Sequence, residues 1–313
     1  MTSRVFLPLL LSLVALAGAG CSRAFSATPA PAAGRPQLIA ATATVATVGE
    51  FPWNPLKDPS LDDSKLSKDI IWGFKIFIDT PGQVPHLTPG KVSCNNCHLN
   101  GGQRERALPV VGIAGMFPEY NRRAGRTYTL TDRVVDCFNR SQNATSIVGG
   151  ENGPAGPTPT SKEVLAVTAY LTWLSKGFEV GKNPPWRGQN AIAAANLIPM
   201  EKLEPARGEA LFKQHCVSCH GEDGQGVLIG EKKPGPLWGA DSWNDGAGAA
   251  RVYTLAGIIR YSMPYVTPGV LTDAESQHLA AFINSHPRPS YPFKDRDFLI
   301  EKLPVDSVYY PKR

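Results

Sequence analysis

Two pentapeptides of one pattern contain the residues best suited to do chemistry: Cys94-Asn95-Asn96-Cys97-His98 and Cys216-Val217-Ser218-Cys219-His220. The C-x-x-C-H pattern is typical of covalent attachment of c-type haem. Two thiols three positions apart reach the two vinyl groups of one porphyrin, and the adjacent histidine then lies under the iron as its proximal ligand. The sequence therefore predicts two covalently bound haem c groups, attached through Cys94, Cys97, Cys216 and Cys219 and ligated by His98 and His220.

Zinc binding and thiol–disulfide exchange are the alternatives for such cysteine pairs. A zinc site would use both pairs as one four-thiolate cage, but the pairs lie in different halves of the chain and each is followed by a histidine that zinc does not need. A redox-active C-x-x-C pair is not usually followed by histidine and is not expected in duplicate. Both motifs therefore favour haem.

The sixth ligand of each iron decides what each haem can do. After the initiator methionine, the chain contains Met116, Met200 and Met263. Met263 precedes the last amphipathic helix, where a cytochrome c domain delivers a methionine to the distal face of its haem. Such His/Met ligation raises the reduction potential and suits electron transfer. We predict that Met263 ligates the second haem; the alternative is that it fills the core.

Cys137 occupies the corresponding place in the first half. It is the one cysteine outside the haem motifs and the amino-terminal segment, and it could be a buried hydrophobe, a disulfide partner, or a metal-ligating thiolate. A disulfide has no intramolecular partner. Neighbouring Arg133 and Arg140 would lower the pKa of the thiol and favour the thiolate, while burial stays open as an alternative.

From about residue 51 to residue 289, the chain resembles the dihaem cytochrome c thiosulfate dehydrogenases. The resemblance rests on the two C-x-x-C-H motifs, on the Cys-Phe-x-Arg-Ser run from Cys137 to Ser141 with Asp132-Arg133 before it, and on Met263-Pro264 with residues 280–285 after it. One departure is that no lysine flanks Met263, so an exchange of methionine for lysine at the second haem has no obvious donor.

The resemblance implies the roles of the site residues. Cys137 is then the distal ligand of the first, catalytic haem, opposite His98, and the second haem has His220 and Met263 as its ligands. The substrate pocket near Cys137 is then lined by three further residues, Arg123, Arg133 and Ser141.

The segment between His98 and Ser141 is also rich in arginine. It contains seven arginines against four acidic residues: Arg104, Arg106, Arg122, Arg123, Arg126, Arg133 and Arg140 against Glu105, Glu119, Asp132 and Asp136. A dianionic sulfur oxyanion would be attracted there, and guanidinium groups match its oxygens. A solvated basic surface explains most of these arginines; Arg133, four residues before Cys137, is the best exception.

These observations predict oxidation of two thiosulfate ions to tetrathionate, with electrons passing from the first haem to the second and on to an external acceptor such as a small cytochrome c or a high-potential redox protein. Thiosulfate held by arginine would react with the sulfur of Cys137, which is then both ligand and covalent participant. Two alternatives stay open: a non-catalytic dihaem electron carrier and a dihaem subunit of a sulfur-oxidation complex. Tetrathionate reduction would use the same site.

The elements that must position these residues are mainly α-helical, because strand signals are almost absent. A short helix from Pro205 runs into Cys216, and a looser copy at 70–77 precedes the first motif. Amphipathic helices at 160–175 and 272–284 close the two halves. Each starts with a predicted capping box: Thr160 with Glu163, and Thr272 with Glu275.

The sequence thus predicts a mainly α fold of two tandem cytochrome c domains. A Pro/Gly/Ala-rich linker at 184–201 joins a first domain at 48–183 to a second at 202–290. Residues 291–313 are predicted to form an extended tail over the surface of the domains.

The amino terminus predicts export. Arg4, an apolar run at 5–17 and small residues up to Cys21 form a signal peptide at 1–21, which places the mature protein in the periplasm. The residues before Cys21 resemble a lipoprotein cleavage site, so a lipid anchor there and ordinary cleavage are both open. Residues 22–47, rich in Ala, Pro and Thr, are predicted to be a flexible tether.

The net charge of +5 includes no basic block, so nucleic acid is excluded as a partner.

Overall fold

The computed structural model describes residues 34–145, 147–148, 151–152, 155–230 and 233–311. Within these residues the structure is mainly helical, as predicted, and the strands form two short antiparallel hairpins. The α-helices are α1 (Lys65–Ile78), α2 (Thr80–Gln83), α3 (Cys94–Cys97), α4 (Leu99–Gly102), α5 (Leu130–Ser141), α6 (Lys162–Trp173), α7 (Pro205–His215), α8 (Val217–His220), α9 (Val252–Ser262) and α10 (Asp273–Ile283). The hairpins pair β1 (Glu119–Asn121) with β2 (Arg126–Tyr128), and β3 (Ile147–Val148) with β4 (Glu151–Asn152).

The first domain is built around the crossing of α1 and α6. Helix α1 begins after Ser64, whose hydroxyl accepts the backbone N–H of Ser67, and it buries Phe74, Ile76 and Phe77. The two helices approach so closely at Gly73 that a Cβ atom there would lie 1.9 Å from the carbonyl oxygen of Ala166. Only glycine allows this backbone contact.

The second domain repeats the arrangement with α7 and α10, and α9 also packs against α10. A Cβ atom at Gly208 would lie 2.1 Å from the carbonyl oxygen of His278, and Phe212 one turn later is buried. Gly73 and Phe77 have the same spacing in α1. The weak internal repeat in the sequence is therefore a repeated helix crossing, and each domain has its own hydrophobic core.

One of the two predicted capping boxes is confirmed. The Thr272 hydroxyl accepts the N–H of Glu275 at 3.2 Å, and the Glu275 carboxylate accepts the N–H of Thr272 at 2.8 Å. The prediction for Thr160 is wrong, because α6 begins one residue later with Ser161 at the N-cap. Glu163 is instead buried, with its carboxylate 3.4 Å from Nε2 of His86.

Segments outside the two helix crossings are also packed. Within the region predicted as a tether, Ile39 and Val45 are buried, and the N–H of Ile39 donates to the carbonyl of Gln103 at 2.8 Å. The tether prediction is therefore wrong for these residues, because apolar side chains spaced along the segment find a place on the first core. In the predicted linker, the indole N–H of Trp186 donates to Val111 in the first domain, and Ile192 is buried in the second core.

The carboxy-terminal segment, residues 287–311, contacts both domains. Its backbone accepts from the N–H of Gly239 and Asp245 in the second domain, and its Phe298 N–H donates to the carbonyl of Arg123 in the first. Asp297 and Asp306 of this segment are buried. The segment thus does more than cover the surface, because its acidic side chains reach into both halves.

No helix in the described ranges is long and apolar enough to cross a membrane. The predicted signal peptide, Cys21 and the start of the predicted tether lie outside the described residues.

Candidate active site

Helix α5 presents one face to a cleft in the first domain. The α5 residues that line the cleft are Leu130, Arg133, Val134, Cys137, Phe138 and Ser141. Their spacing of three and four residues is that of a single helix face, so Arg133 lies one turn before Cys137 and Ser141 one turn after it. A capping box formed by Thr129 and Asp132 sets the start of the helix and hence the direction of this face.

The first haem motif lines the same cleft. Cys94, Cys97 and His98 line it, and apolar residues of α1, α6 and the loop after α4 complete the surface. The cleft has a volume of about 110 Å³ and opens to solvent. The fold therefore brings together Cys94, Cys97, His98, Cys137, Arg133 and Ser141, which the sequence separates by up to 47 positions.

His98 is oriented by the backbone of the loop that follows it. Its Nδ1 lies 2.6 Å from the carbonyl oxygen of Leu108. A carbonyl can only accept, so Nδ1 carries the hydrogen and Nε2 of the neutral imidazole is left free to bind a metal. Burial lowers the pKa of His98, and the charge of Arg133 lowers it further. The histidine is therefore neutral at physiological pH, as iron ligation requires.

The protonation of Cys137 differs from the sequence prediction. Arg133, Arg123 and Arg140 each lower the pKa of the Cys137 thiol, but burial raises it by more and the net shift is upward. The predicted lowering of the pKa by Arg133 and Arg140 is therefore confirmed, but it is not enough to yield the thiolate. A thiolate at this position needs a bound metal ion, which deprotonates a coordinating thiol outright.

Arg133 has a half-exposed guanidinium on the lining of the cleft. Its side chain is 47% exposed, and its ion pair with Asp136 is loose, at 3.7 Å. By contrast, Arg104 and Arg140 are almost fully buried, so the solvated surface predicted for most of these arginines does not include these two. Of the arginines on α5, Arg133 is the one placed to meet an anion that enters the cleft.

Arg123 does not line the cleft. Its Nη1 donates to the carbonyl of Gly246 in the second domain at 2.8 Å, and its own carbonyl accepts from Phe298. Burial lowers the pKa of Arg123, and the charge of Arg140 adds to this. Its charge still lowers the pKa of Cys137, so Arg123 influences the site electrostatically without lining the cleft.

A buried ion network lies behind Cys137, and the sequence analysis missed it. Arg140 Nε donates to Asp136 Oδ1 at 2.5 Å, and Nη1 and Nη2 donate to the two oxygens of Asp297 at 2.8 and 2.7 Å. The guanidinium also stacks on Tyr291, 4.1 Å from the ring centroid. The Asp136–Arg140 pair could have been found from its i,i+4 spacing. Nothing in the local sequence points to Asp297.

The histidine of the second C-x-x-C-H motif is also partly buried, but its Nδ1, unlike that of His98, has no hydrogen-bond partner among the described residues. Burial lowers the pKa of His220 to about 4. The imidazole is therefore neutral at physiological pH. Met263 lies at the end of α9 in the same domain, partly buried, with its N–H bonded to the carbonyl of Ile259 at 3.1 Å. Its role as iron ligand stays a prediction.

The residues of the first site fit a c-type haem. The thiols of Cys94 and Cys97 are free, His98 presents Nε2 as a nitrogen donor, and the cleft between them and Cys137 is lined mainly by apolar side chains. Cys216 and Cys219 are likewise free beside His220. Thiols, imidazole and an apolar cleft are the surroundings that covalent haem requires.

Comparison with known proteins agrees with this donor set. Residues 86–180 match the family model described as "SoxA/TsdA, cytochrome c domain", and residues 203–283 match that described as "Cytochrome C oxidase, cbb3-type, subunit III". The chain thus contains two cytochrome c domains. The thiosulfate dehydrogenase of Allochromatium vinosum is 35% identical over 286 residues, which cover 87% of this chain and 97% of that protein. This chain belongs to the thiosulfate dehydrogenase family.

Two further members of the family resemble this chain in sequence, and one of them also in its solved structure. The thiosulfate dehydrogenase of Stutzerimonas stutzeri is 34% identical, over 78% of this chain and 75% of that protein. The solved structure of the thiosulfate dehydrogenase TsdBA from Marichromatium purpuratum superposes with a TM-score of 0.64 and 32% identity, over 74% of this chain and 49% of that longer chain. In the present member of the family, the SoxA/TsdA match contains every residue that lines the α5 cleft except Phe77, and the second match contains His220 and Met263.

Proposed function

We propose that this chain is a thiosulfate dehydrogenase that oxidises two thiosulfate ions to tetrathionate at the α5 cleft, releasing two electrons. The observation that carries the proposal is the single helix face on which Arg133, Cys137 and Ser141 follow one another at one-turn intervals, in a cleft that His98 also lines. Membership of a family whose characterised relatives are named thiosulfate dehydrogenases supports the same substrate.

Anion binding is the first task that the cleft residues can perform. The half-exposed guanidinium of Arg133 offers parallel N–H donors that match the oxygens of a sulfonate group, and the Ser141 hydroxyl can donate a further hydrogen bond. Because both side chains flank Cys137 on the same face, a thiosulfate ion held by them brings its terminal sulfur to the Cys137 sulfur. This positioning lowers the entropic cost of the reaction.

Cys137 then acts as the covalent participant. The terminal sulfur of one thiosulfate forms an S–S bond with the Cys137 thiolate, and two electrons leave the pair of sulfurs. A second thiosulfate attacks the outer sulfur of this bond, tetrathionate departs, and the Cys137 thiolate is restored. Haem, when bound through Cys94, Cys97 and His98 and at the second motif, supplies the acceptor for these electrons and passes them to an external redox protein. Run backwards, the same steps reduce tetrathionate.

Replacement of Cys137 tests the proposal. Cys137→Ala in the haem-loaded protein should abolish haem reduction by thiosulfate, with both haems still covalently attached, because no other described cysteine outside the haem motifs can form the S–S bond. The measurement is anaerobic stopped-flow absorbance after mixing with thiosulfate. Val135→Ala is the matched control, since it shortens an α5 side chain that does not line the cleft and should leave the reduction rate near that of the wild type. Normal turnover by Cys137→Ala would refute the mechanism.

A spectroscopic test separates catalysis from simple electron carriage. A carrier with two His/Met or two His/His haems lacks the low-spin signature of thiolate ligation. Low-temperature EPR of the oxidised protein should show that signature in the wild type and lose it in Cys137→Ala. Its absence from the wild type would favour the carrier hypothesis.

Export to the periplasm and a lipid anchor at Cys21 are proposed from the amino-terminal sequence alone. Cell fractionation tests the first. Mass measurement of the amino-terminal peptide tests the second, because acylation adds the mass of the fatty chains to a peptide that begins at Cys21.

A further inference from the structure

The loop that follows Met263 is held by the first domain. The hydroxyl of Tyr265 donates to the carbonyl of Val45 at 2.6 Å and lies 3.1 Å from Nδ2 of Asn100, which donates to it. Asn100 is two residues beyond His98, and Tyr265 is two residues beyond Met263. One tyrosine therefore joins the loop after the first haem histidine to the loop after the predicted ligand of the second haem.

Arg104 strengthens this junction. Its guanidinium stacks on the ring of Tyr265, 4.2 Å from the centroid, and Nη2 donates to the Tyr265 carbonyl at 2.8 Å. The same side chain donates from Nε to the carbonyl of Ala41 at 3.0 Å. Arg104 is 1% exposed, and its Nη1 has no hydrogen-bond partner in the described structure.

A buried arginine without a carboxylate partner is unfavourable for stability. Burial lowers the pKa of Arg104, and the Tyr265 side chain offsets this only in part. A stabilising contact between the domains could be made more favourably by apolar side chains. The arrangement therefore indicates that the position of Tyr265 itself matters.

The rest of the loop is held by the second domain near its far end, where Leu271 is 2% exposed and the Gly269 carbonyl accepts from Arg260 Nη1 at 3.0 Å. Val266 and Val270 are 67% and 58% exposed, and the loop is irregular from Met263 until α10 begins at Asp273. Within the loop, the N–H of Thr267 donates to the carbonyl of Pro264 at 3.0 Å. The anchors on Tyr265 thus restrain the segment that carries Met263, and those anchors come from the first domain.

We infer that Tyr265 is a positioning residue that holds Met263 for ligation of the second haem, with its own position set by Arg104 and Asn100 of the first domain. The inference rests on the proposed function only in taking Met263 as that ligand. It has a physical consequence: the potential of the second haem depends on a contact made by the first domain, because methionine ligation raises the potential.

The test uses the haem-loaded full-length chain with Tyr265→Phe. This variant keeps the ring that stacks on Arg104 and removes only the hydroxyl. Loss of its hydrogen bonds should shift the equilibrium between methionine-bound and methionine-free iron about tenfold toward the free form. Two readouts report this: the methionine-to-iron charge-transfer band of the oxidised protein should weaken, and potentiometry should give a lower midpoint potential for the second haem.

Tyr261→Phe is the matched control. Tyr261 also faces an arginine of the first domain, since Arg106 lies 5.3 Å from its ring centroid, but its hydroxyl makes no hydrogen bond within the described residues. This control should retain the wild-type band and potential. Arg104→Lys is a second test variant, which keeps the positive charge but loses the planar guanidinium group. It should weaken the methionine-to-iron band and lower the midpoint potential, as Tyr265→Phe does.

The outcomes separate this inference from the proposed function. Wild-type band and potential in Tyr265→Phe, or equal changes in Tyr261→Phe, would overturn the inference. Absence of the methionine band from the wild-type protein would overturn it as well. In every case, reduction of the first haem by thiosulfate is measured independently, and only its loss from the wild type would count against the proposed function.

Discussion

Arg140 and Asp297 form a bidentate ion pair between the two halves of the molecule. The guanidinium nitrogens lie 2.8 and 2.7 Å from the two carboxylate oxygens, and the side chains are 6% and 4% exposed. Arg140 lies in the last turn of α5, and Asp297 lies in the carboxy-terminal segment. The helix that carries Cys137 is therefore held from behind by residues that follow the second domain in sequence.

Replacement of Asp297 by Asn should lower both stability and activity. Removing one charge from a buried pair leaves the other poorly compensated, at a cost of about 3 kcal/mol. Arg140 then turns toward Asp136, so α5 shifts and the kcat/KM for thiosulfate should fall about tenfold, equivalent to about 1.4 kcal/mol. Melting curves and steady-state kinetics measure the two effects.

Asp306→Asn is the control for Asp297. Asp306 is equally buried in the same segment, but its Arg251 partner lies in the second domain, with Nη2 and Oδ1 2.8 Å apart. This variant should lose stability and keep the wild-type KM. Equal kinetic losses in both variants would mean that Asp297 has no specific effect on α5.

Replacement of Arg133 by Gln should weaken thiosulfate binding. The change removes a charge-assisted contact to the anion, which contributes about 1.5–3 kcal/mol and corresponds to roughly a 10- to 100-fold loss of kcat/KM. Arg126→Gln, at an exposed arginine that pairs with Asp132 outside the cleft, should change kcat/KM little. If the two variants behave alike, general attraction by the basic surface explains the binding and Arg133 has no special role.

The stability of the second domain should fall in mild acid because of His278. Its Nδ1 accepts the N–H of Glu204 at 3.0 Å, so the folded protein needs the neutral imidazole. Burial lowers the pKa of His278 from 6.5, and the charge of Arg207 adds to this. The unfolded chain therefore takes up a proton first, and stability decreases as the pH falls below 6.5 until the folded-state pKa is passed.

His278→Asn isolates this contribution, since asparagine keeps an acceptor oxygen and does not titrate. Melting temperatures at about pH 5 and about pH 8 should differ less in the variant than in the wild type. An unchanged difference would assign the acid sensitivity to other groups.

At the two close helix crossings, helix propensity and packing predict opposite effects of a glycine-to-alanine substitution on stability. Alanine is a better helix former than glycine by about 1 kcal/mol, yet Gly73→Ala and Gly208→Ala should each destabilise the protein, because the new Cβ atom would meet backbone at 1.9 and 2.1 Å. Thermal melts of the haem-loaded variants measure this. Gly248→Ala, where nothing lies within 4 Å, should be neutral, and a stabilised Gly73→Ala would contradict the observed crossing.

Local patterns were sufficient for much of the fold. The helical periodicity predicted the closing helices, and the Thr272 capping box is present because its geometry depends on residues only three apart. The same argument failed at Thr160, where Glu163 is drawn into a buried contact with His86. Burial of Ile39 and Val45 was also not predictable from a segment composed mainly of Ala, Pro and Thr.

The sequence by itself determined the chemistry that this chain can perform, because the C-x-x-C-H motifs and the Arg133–Cys137–Ser141 spacing are local and a helix places them on one face. The tertiary structure decided the surroundings of those residues. Burial outweighs the arginines at Cys137, Arg123 lies behind α5, Asp297 holds Arg140, and Tyr265 joins the two domains. These relationships depend on how distant segments pack, and the free energies of burial and pairing that govern them arise only when the segments meet.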